Sequence, residues 1–477
     1  MHPLRLFLTV FALVTCSTMA RGAVEKPNFI LINVDDLGWT DLGCFGSKFY
    51  ETPHIDGLAG DGMRFTDAYA ACAVCSPTRA AIMTGRYPAR LGVTDWIRAR
   101  FQGGKIPADK KNPSRWVGGK GNKVLCPANA LWMESSELTI AELLKDAGYR
   151  SCHIGKWHLG ADDWYPEKQG FDENYGGCDY GQPPSYYDPF HNKRLDGIYG
   201  LPGRKKGQYL TDREADEALG FIGRNKEQPF FLYFANYAVH TPIQAKQSLL
   251  GKYKEKAAKL KGRQKNAAYA TMVESVDQAV GRIRAKLEEL KISGKTVIIF
   301  TSDNGGLLGP TDNAPLRSGK GNPYEGGVRV PLIVHWPGIT RAKSVSAVPV
   351  SSIDYFPTIC RAAGIKPPAD VVIDGVDLMP VLKGGDSLDR EDIFWHFPQY
   401  RGRIMPYSMV RSGSWKLLKR YHGKPYELFN LAEDIGEKEE LSAKMPEKVK
   451  QLDAKLEEWL KKTGAKVHRL NPDYAGK

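Results

Sequence analysis

Short apolar runs recur along the chain, and polar or charged residues follow four of them directly. The four are NFILINV before Asp35 and Asp36, YRSCHIG before Lys156 and His158, PFFLYFANYAV before His240, and TVIIFTS before Asp303 and Asn304. Such runs are typical of parallel strands that are buried on both faces. The pattern predicts an α/β fold with a mixed, mostly parallel sheet sandwiched by helices. Because parallel strands end along one sheet edge, we expect these polar residues to form one site.

Helical periodicity occurs between the apolar runs. SELTIAELLKDAG has Ser136 as a candidate N-cap and Gly148 as a stop signal, and KNAAYATMVESVDQAVGRIRAKLEEL keeps a helical apolar period over several turns. Both predict helices that cover the sheet. Two Gly-, Pro- and Lys-containing connections, 92–127 and 180–207, are too long for simple turns. We expect these loops to shape a substrate pocket.

The pattern changes after about Pro367. DIFWHFP, YSMVRSGSWKLLKR and PYELFNL predict short strands separated by turns, and MPEKVKQLDAKLEEWLKKTG predicts a helix. We therefore predict a main domain over residues 25–366, which holds the site. A smaller C-terminal subdomain over residues 367–477, with an antiparallel sheet and a terminal helix, is expected to close one side of it.

The N-terminus has the pattern of an export signal. Arg5 precedes the apolar run LFLTVFALV and small residues near Ala20 and Gly22, so residues 1–22 are predicted to be a signal peptide. The run is too short to span a membrane, and no later segment is apolar enough. The chain is thus expected to be periplasmic or secreted, without an integral membrane segment after signal removal. LVTC, ending at Cys16, leaves a lipoprotein anchor as an alternative.

Charge indicates an anionic partner. The 477 residues carry a formal net charge of +13, densest in KYKEKAAKLKGRQK and RKKG. Nucleic acid, anionic lipid and acidic glycans all suit a basic protein, but an exported chain without a nucleic-acid motif favours a glycan. For the lysine-rich run, a solvated helix face is the favoured explanation. Six cysteines besides Cys16 and Cys75 could pair in an oxidising compartment, with open connectivity.

A cysteine stands at a predicted helix start in CAVCSPTRAAIMTGR. Ser76 is a good N-cap and Pro77 suits the first helical position, so Cys75 would precede the helix, where free amides favour an anion. Arg79 lies one turn further on. A zinc or redox role for the C-x-x-C pair with Cys72 is disfavoured because a second pair is missing and the helix begins after the second cysteine. A buried, inert cysteine remains the alternative.

Two acidic pairs predict a cation site. Asp35, Asp36, Asp303 and Asn304 offer only oxygen ligands, which suit Ca²⁺ or Mg²⁺ rather than zinc. A strand-end turn would explain the first pair alone. A second pair after another apolar run favours a shared metal.

CSPTRAAIMTGR closely resembles the signature of the sulfatase family, in which the cysteine of C-x-P-x-R is oxidised by a maturation enzyme to Cα-formylglycine (3-oxoalanine). VDDLG, GKWHLG, HTP, SDNGG and SGKGNPYEGGVRVP match in order, from Asn28 to about Ile359, and YELFNLAEDIGEKEEL resembles the C-terminal region. Thr78 and Ile435 depart from the usual serine and proline but are not proposed catalytic groups. The resemblance implies an alkaline-phosphatase-like fold, Ca²⁺ rather than Mg²⁺, and a formylglycine-generating enzyme as partner.

The resemblance also implies a nucleophile and its supports. An aldehyde at position 75 would hydrate to a geminal diol, and one of its oxygens, stabilised by the cation and Arg79, would attack sulfur. Lys156 and Lys320 would neutralise the sulfate oxygens. His240 would protonate the departing sugar oxygen, and His158 would help to remove a proton from the remaining hydroxyl so that sulfate is expelled.

The predicted activity is hydrolysis of sulfate monoesters on a sulfated carbohydrate. Resemblance to N-acetylgalactosamine-6-sulfatase and arylsulfatase-type enzymes points to an amino-sugar or galactose sulfate. One alternative is a phosphodiesterase or phosphonate monoester hydrolase of the same fold. The other is a non-catalytic binder of sulfated glycans with unmodified Cys75.

Overall fold

A computed structural model describes residues 26–475, so the predicted signal peptide, residues 1–22, lies outside the described residues, as does Cys16. Strands occur throughout the described part of the chain. They are β1 (Asn28–Val34), β2 (Met63–Phe65), β3 (Ala68–Tyr69), β4 (Trp116–Val117), β5 (Val124–Pro127), β6 (Arg150–Gly155), β7 (Glu173–Tyr175), β8 (Phe230–Ala235), β9 (Thr296–Ser302), β10 (Leu332–His335), β11 (Ser344–Ser346), β12 (Val350–Ser351), β13 (Asp392–Phe397), β14 (Tyr407–Ser412), β15 (Trp415–Arg420), β16 (Tyr426–Asn430) and β17 (Arg469–Leu470).

Helices alternate with these strands, and short 3₁₀ turns lie between them. The α-helices of residues 26–475 are α1 (Pro53–Asp61), α2 (Cys75–Thr84), α3 (Pro88–Leu91), α4 (Ile140–Asp146), α5 (Leu210–Arg224), α6 (Gln247–Lys259), α7 (Ala267–Glu289), α8 (Glu325–Val328), α9 (Tyr355–Ala363), α10 (Met379–Leu382) and α11 (Pro446–Thr463). None of them is both long and apolar enough to cross a membrane.

An eight-stranded sheet forms the centre, in the order β11-β2-β10-β9-β1-β8-β6-β7. Five of its seven strand pairs run parallel, and β10 is antiparallel to both neighbours. Ile30 and Ile32 of β1 pack in the core that contains α1, α5 and α7. Phe29 and Leu31 pack on the other face, with α2, α4 and α9. Both faces of β1 are therefore buried, which confirms the mixed, mostly parallel sheet and explains its uninterrupted apolar run.

Helix α4 begins later than the sequence prediction. Ser136 lies in a turn, and the N-cap is Thr139, whose hydroxyl accepts a hydrogen bond from Glu142 N while the Glu142 carboxylate accepts one from Thr139 N. The prediction of Ser136 as N-cap is wrong because this reciprocal capping box satisfies two backbone amides three residues further on. Gly148 follows the helix with φ 83°, in agreement with the predicted stop.

The C-terminal part contains the predicted small sheet and helix. Strands β13 to β16 form an antiparallel four-stranded sheet in sequence order. One face packs against α11, with Leu417 and Leu456 in a shared cluster. The other face packs on the segment before α2, where the Trp395 indole donates to Ala70 O at 2.8 Å. This sheet thus supports the helix that begins at Cys75, while the domain boundary near residue 367 stays a prediction.

The connection 92–127 is partly ordered by short strands. Its β4 and β5 pair with each other and with the C-terminal β17 in a three-stranded sheet, β17-β5-β4. The seven cysteines of the described residues are all free thiols. None of the disulfide pairings that the sequence left open forms there.

Candidate active site

The ends of three parallel strands bring the predicted residues together. Asp35 follows β1, Lys156 follows β6, and Asp303 follows β9. Val34 pairs with Ser302 in register, so Asp35 and Asp303 leave the sheet side by side. The Lys156 ammonium lies 2.6 Å from Asp35 Oδ2, with both side chains fully buried. The parallel register alone therefore converts distant sequence motifs into one site, as predicted.

Cys75 is the first residue of α2, whose N-cap is Val74. Ser76 lies within the helix, and its hydroxyl donates to His158 O and accepts from Ile97 N, each at 2.9 Å. The prediction of Ser76 as N-cap is wrong because these tertiary partners hold its side chain. Cys75 thus lies in the first turn, at the positive end of the helix dipole, rather than before it.

Arg79 connects three of the strand ends. Its Nε donates to Asp303 Oδ2 at 2.8 Å and its Nη1 donates to Lys156 O at 2.6 Å. Its Nη2 lies 3.8 Å from Asp35 Oδ1 and, being buried, has no hydrogen-bond partner among the described residues. One N–H group of this clamp is therefore available to a ligand.

Asp36 is surrounded by the other predicted residues. The Lys320 ammonium lies 2.6 Å and the Asn304 amide nitrogen 2.8 Å from Asp36 Oδ1, and His240 Nε2 lies 3.6 Å from Asp36 Oδ2. Asp36 has φ 63°, a left-handed conformation that Asp tolerates better than most residues. Strained backbone of this kind is concentrated at functional sites.

His158 has one engaged and one free ring nitrogen. Nε2 lies 2.7 Å from Ile97 O, whereas Nδ1 is buried without a partner among the described residues. Burial, with Lys156 and Arg79 nearby, lowers the pKa of His158 well below its usual value, so the ring is neutral. Because a carbonyl oxygen can only accept, the proton is assigned to Nε2. Nδ1 therefore presents a lone pair.

Burial and neighbouring charges shift the pKa values of Asp35 and Asp36 in opposite directions. Burial and Asp303 raise the pKa of Asp35 well above its usual value, against Lys156. Around Asp36, burial is outweighed by Lys320 and His240, and the pKa is lowered. Burial and Lys320 also lower the pKa of His240, to about 3, against the attraction of Asp36. Neighbouring cations thus stabilise the negative charge of Asp36, whereas they do not offset the effect of burial on Asp35.

The donor set fits a hard cation. Asp35 Oδ1 and Asn304 Oδ1 are buried without hydrogen-bond partners among the described residues. Ligand atoms of Asp35, Asp36, Cys75 and His240 lie within 4.8 Å of one another. Unsatisfied buried oxygens are costly, and a bound cation would remove that cost. The free oxygens of Asp35 and Asn304, with Asp36 beside them, suit a hard cation such as Ca²⁺ or Mg²⁺, and the assignment of Asp303 as a fourth ligand stays a prediction.

Tyr186 is a site residue that the sequence reasoning missed. Its buried hydroxyl lies 2.6 Å from Tyr237 O and 2.8 Å from His240 O, which fixes the backbone that carries His240. It comes from the connection 180–207, whose sequence has no motif that separates this tyrosine from its neighbours. Gly181 lies so close to the His158 ring that an added Cβ would be 2.6 Å from Cε1. Both residues act through packing that only the fold reveals.

An oxygen-lined cation pocket beside a helix start, surrounded by arginine and lysine, defines a hydrolase site for an anionic ester. The sequence profile described as Sulfatase matches residues 27–365, and the profile described as N-sulphoglucosamine sulphohydrolase, C-terminal, matches residues 319–466. The N-acetylgalactosamine-6-sulfatase of Mus musculus is 38% identical over 411 residues, which cover 81% of this chain and 71% of that protein. A sulfatase of Formosa agariphila is 34% identical over 538 residues, and the match covers 96% of this chain and 93% of that protein.

Two solved structures are similar to this chain. The crystal structure of Ps i-CgsB in complex with k-i-k-neocarrahexaose is similar with a TM-score of 0.76 and 32% identity, over 91% of this chain and 93% of that chain. The phosphonate monoester hydrolase of Agrobacterium radiobacter shares the fold, at 20% identity and a TM-score of 0.64. The chain belongs to the sulfatase family and is an enzyme of that family. The predicted alkaline-phosphatase-like fold is confirmed.

Proposed function

We propose that this enzyme hydrolyses sulfate monoesters of a sulfated carbohydrate, with a formylglycine at position 75 as the source of the nucleophile. The observation that carries the proposal is the convergence of Cys75, in its C-x-P-x-R motif, with three buried carboxylates and three buried cations. Two similar proteins are named for, or were solved with, a sulfated or carrageenan-derived sugar, which supports a carbohydrate substrate.

An unmodified thiol suits this position poorly. Burial raises the pKa of Cys75 despite Lys156 and Lys320, so the thiol stays protonated at neutral pH and is a weak nucleophile. We propose that a formylglycine-generating enzyme, which supplies the oxidant, converts it to an aldehyde that hydrates. One hydroxyl oxygen of the hydrate then attacks sulfur, and the S–O bond to the sugar breaks. Loss of the proton from the second hydroxyl restores the aldehyde as the C–O bond to sulfate breaks.

The charge balance of the site favours an anionic ester. Three carboxylates and three cations of the site sum to zero formal charge, and they are Asp35, Asp36, Asp303, Arg79, Lys156 and Lys320. Ca²⁺ held by the three aspartates and Asn304 would supply Lewis-acid stabilisation. Two added positive charges exceed the single negative charge of a sulfate monoester by one. Arg79, Lys156 and Lys320 are therefore left to bind the sulfate oxygens and the charge that develops on them.

The two histidines take different proton-transfer roles. His240 Nδ1 lies 2.9 Å from Thr241 O, which requires a proton on Nδ1 and leaves Nε2 as the exchanging nitrogen. The pKa of His240 is lowered to about 3 by burial and Lys320 before substrate binds. The negative charge of the bound sulfate favours protonation of Nε2, so His240 takes up a proton with the substrate and serves as general acid to the sugar oxygen. His158 Nδ1, with its free lone pair, accepts the proton of the second hydroxyl.

Metal removal and a substrate comparison test the proposal. Chelation should abolish hydrolysis of 4-nitrophenyl sulfate, and Ca²⁺ should restore it better than Zn²⁺. The same preparation should hydrolyse the sulfate faster than bis(4-nitrophenyl) phosphate or a phenylphosphonate monoester. Faster turnover of either phosphorus ester would favour the phosphodiesterase alternative. Tight binding of sulfated glycans without any turnover would favour the binder.

We also propose that residues 1–22 direct export to the periplasm or the medium. The pattern of Arg5, the apolar run and the small residues near Gly22 supports this. N-terminal sequencing of the mature chain should begin close to residue 23. A mature chain that retains Met1 would contradict export by this signal, and lipid on Cys16 would favour the anchored form.

A further inference from the structure

A cleft of about 890 Å³ lies beside the site, between the connection 92–127 and the C-terminal subdomain. Asp95, Trp96 and Arg98 line one end, and Arg115 lies further along. Tyr400 of the C-terminal subdomain contributes to the lining. The volume of the cleft is at the upper end of the range for small-molecule sites, which leaves room for more than the sulfate group that reacts.

The near end of this cleft is formed by the segment 95–98, which adjoins Ser76 and His158. Ile97 N donates to the Ser76 hydroxyl at 2.9 Å, directly next to position 75, and Ile97 O lies 2.7 Å from His158 Nε2. The ring centroids of Trp96 and His158 are 6.5 Å apart. A glycan whose sulfated sugar occupies the site can therefore continue into the cleft along segment 95–98.

The walls of the cleft are fixed by asparagine side chains. Asn129 accepts hydrogen bonds from the backbone of Thr94 and Asp95 and donates to Asp95 O and Trp96 O. Asn112 likewise accepts from Leu131 N at 2.7 Å. A loop held in this way is organised before a ligand arrives, which reduces the entropy that binding costs.

The cations of the cleft lack the carboxylate partners that their neighbours have. Arg100 pairs with two aspartates and Lys110 with one, outside the cleft lining. By contrast, four cations of the lining form no ion pair with the described residues, namely Arg98, Lys105, Lys111 and Arg115. The lining acids are Asp95 and Asp109, so its formal charge is +2. Unpaired cations converging on one concave surface attract anions.

Arg401 adds an unsatisfied donor between the site and the cleft. Its Nη1 is buried and has no hydrogen-bond partner among the described residues. A Cβ placed on Gly321 would lie 3.5 Å from this nitrogen, so Arg401 adjoins the loop that carries Lys320. A buried N–H group without a partner is costly and marks a position where a ligand oxygen would be favoured.

We propose that the cleft binds the sugars next to the sulfated sugar and selects a glycan with at least one further anionic group. The inference rests on the proposed function. It assigns the substrate class as a polyanionic oligosaccharide or polysaccharide rather than an isolated sulfated monosaccharide. Arg98, Lys111 and Arg115 bind the further sulfate or carboxylate, and Trp96 offers a ring face to a sugar.

Calorimetric binding to the calcium-loaded full chain carrying Cys75→Ala tests this proposal, because that variant cannot turn over its ligand. The probes are ι-carrageenan oligosaccharides, with sulfates only, and chondroitin 6-sulfate oligosaccharides, with sulfates and carboxylates, each of two and six sugars. Hyaluronan oligosaccharides, which have carboxylates but no sulfate to occupy the site, are the negative control. The expected result is at least about tenfold tighter binding of six sugars than of two in one or both sulfated series. The responding series identifies the anionic group.

Two triple variants separate the cleft from general charge. Arg98→Gln, Lys111→Gln and Arg115→Gln together should remove the gain with length, about tenfold. Their control changes three exposed lysines in and after α6 that form no ion pair with described residues, Lys254→Gln, Lys259→Gln and Lys265→Gln. This control should keep the gain. Equal losses in both variants, or no dependence on length in any series, would overturn the proposal.

Turnover of 4-nitrophenyl sulfate distinguishes a failure of the cleft proposal from a failure of the proposed function. The cleft variant with Cys75 intact should hydrolyse this small ester within about twofold of wild type, since the ester does not reach the cleft. Hydrolysis without length-dependent binding would refute the cleft and leave the proposed function standing. Length-dependent binding by a chain that hydrolyses no sulfate ester would refute the proposed function and leave a glycan-binding cleft.

Discussion

Two buried ionic clusters of the same formal composition have different roles in this protein. The site cluster contains Asp35, Asp36, Asp303, Arg79, Lys156 and Lys320. A second cluster, here called the interface cluster, joins the C-terminal sheet to the segments around β3 and α8 and contains Asp67, Glu325, Glu437, Arg329, Arg411 and Lys416. Each has three carboxylates and three cations, so buried charge alone does not identify a functional site.

The difference lies in the oxygens that remain free. Glu325 uses both carboxylate oxygens, with Lys416 at 2.9 Å from one and Arg329 at 2.7 Å from the other. Asp35 leaves Oδ1 without a hydrogen bond from the described residues. Burial raises the pKa of both carboxyls, but cations led by Lys416 and Arg329 outweigh it around Glu325, whereas Asp303 adds to it around Asp35. Glu437 Oε1 of the interface cluster also lacks a hydrogen bond from the described residues, but the Lys416 ammonium lies 2.8 Å from it, whereas Arg79 Nη2 is 3.8 Å from Asp35 Oδ1. Close ion pairs of this kind stabilise an interface, and a buried carboxylate oxygen without one can bind a cation.

Asp36→Asn should have the largest effect on activity. Asn adopts the left-handed conformation of Asp36, φ 63°, without added strain, but removes one negative charge from the cation site. We expect kcat/KM for 4-nitrophenyl sulfate to fall about 10³-fold or more, with Ca²⁺ binding weakened in calorimetry. Turnover near wild type with unchanged Ca²⁺ affinity would contradict the assignment of Asp36 as a ligand.

Lys416→Met should instead reduce stability. The substitution leaves Glu325 and Glu437 buried without their shared cation, which costs about 3–5 kcal/mol of the free energy of unfolding. Turnover per folded molecule should stay within about twofold. Lys419→Met on the same strand is the control, because its partners Asp453 and Glu457 are 22% and 54% exposed and stay in contact with water without it, so the cost should be about 1 kcal/mol. Equal costs in denaturant unfolding would remove the contrast.

His240→Ala tests whether His240 donates a proton to the departing sugar oxygen. A sugar alkoxide is a poor leaving group, so kcat/KM for a sugar sulfate should fall about 10²- to 10⁴-fold. 4-Nitrophenyl sulfate departs as a stabilised phenolate and should lose much less. Equal losses on both substrates would indicate that His240 binds sulfate rather than donating a proton.

Tyr186→Phe should have the smallest effect of the four. Losing the hydroxyl that contacts His240 O and Tyr237 O costs about 1 kcal/mol of stability and misplaces His240. We expect a severalfold loss of kcat on a sugar sulfate and less on 4-nitrophenyl sulfate. Tyr209→Phe, which removes a hydroxyl that donates to Gln244 O at 2.7 Å, is the matched control and should cost stability without that difference. A Tyr186 variant that behaves identically on both substrates would limit Tyr186 to a structural role.

Sequence patterns were sufficient where one local signal determines the structure. The apolar run of β1 is buried on both faces, and the residues after β1, β6 and β9 therefore meet at one edge. Predictions from sequence patterns were wrong where a side chain forms hydrogen bonds with residues distant in the sequence. Ser76 has the identity of an N-cap, but the hydroxyl is held by Ile97 N and His158 O. Only the fold brings those atoms to it.

The interface cluster and the cleft were beyond sequence reasoning for the same reason. Glu325 and Lys416 are 91 residues apart, and neither lies in a motif that indicates the other. The unpaired cations of connection 92–127 look like ordinary surface residues until Asn129 and Asn112 fix the backbone that carries them. Long-range pairing energies have no local sequence signal.

Peptide mass spectrometry across Cys75, made on enzyme whose sulfatase activity is measured in the same preparation, tests the central claim most directly. We expect an aldehyde or its hydrate at position 75, in a fraction that rises with specific activity and with coexpression of a formylglycine-generating enzyme. Fully active protein that contains only the encoded cysteine at position 75 would contradict the account.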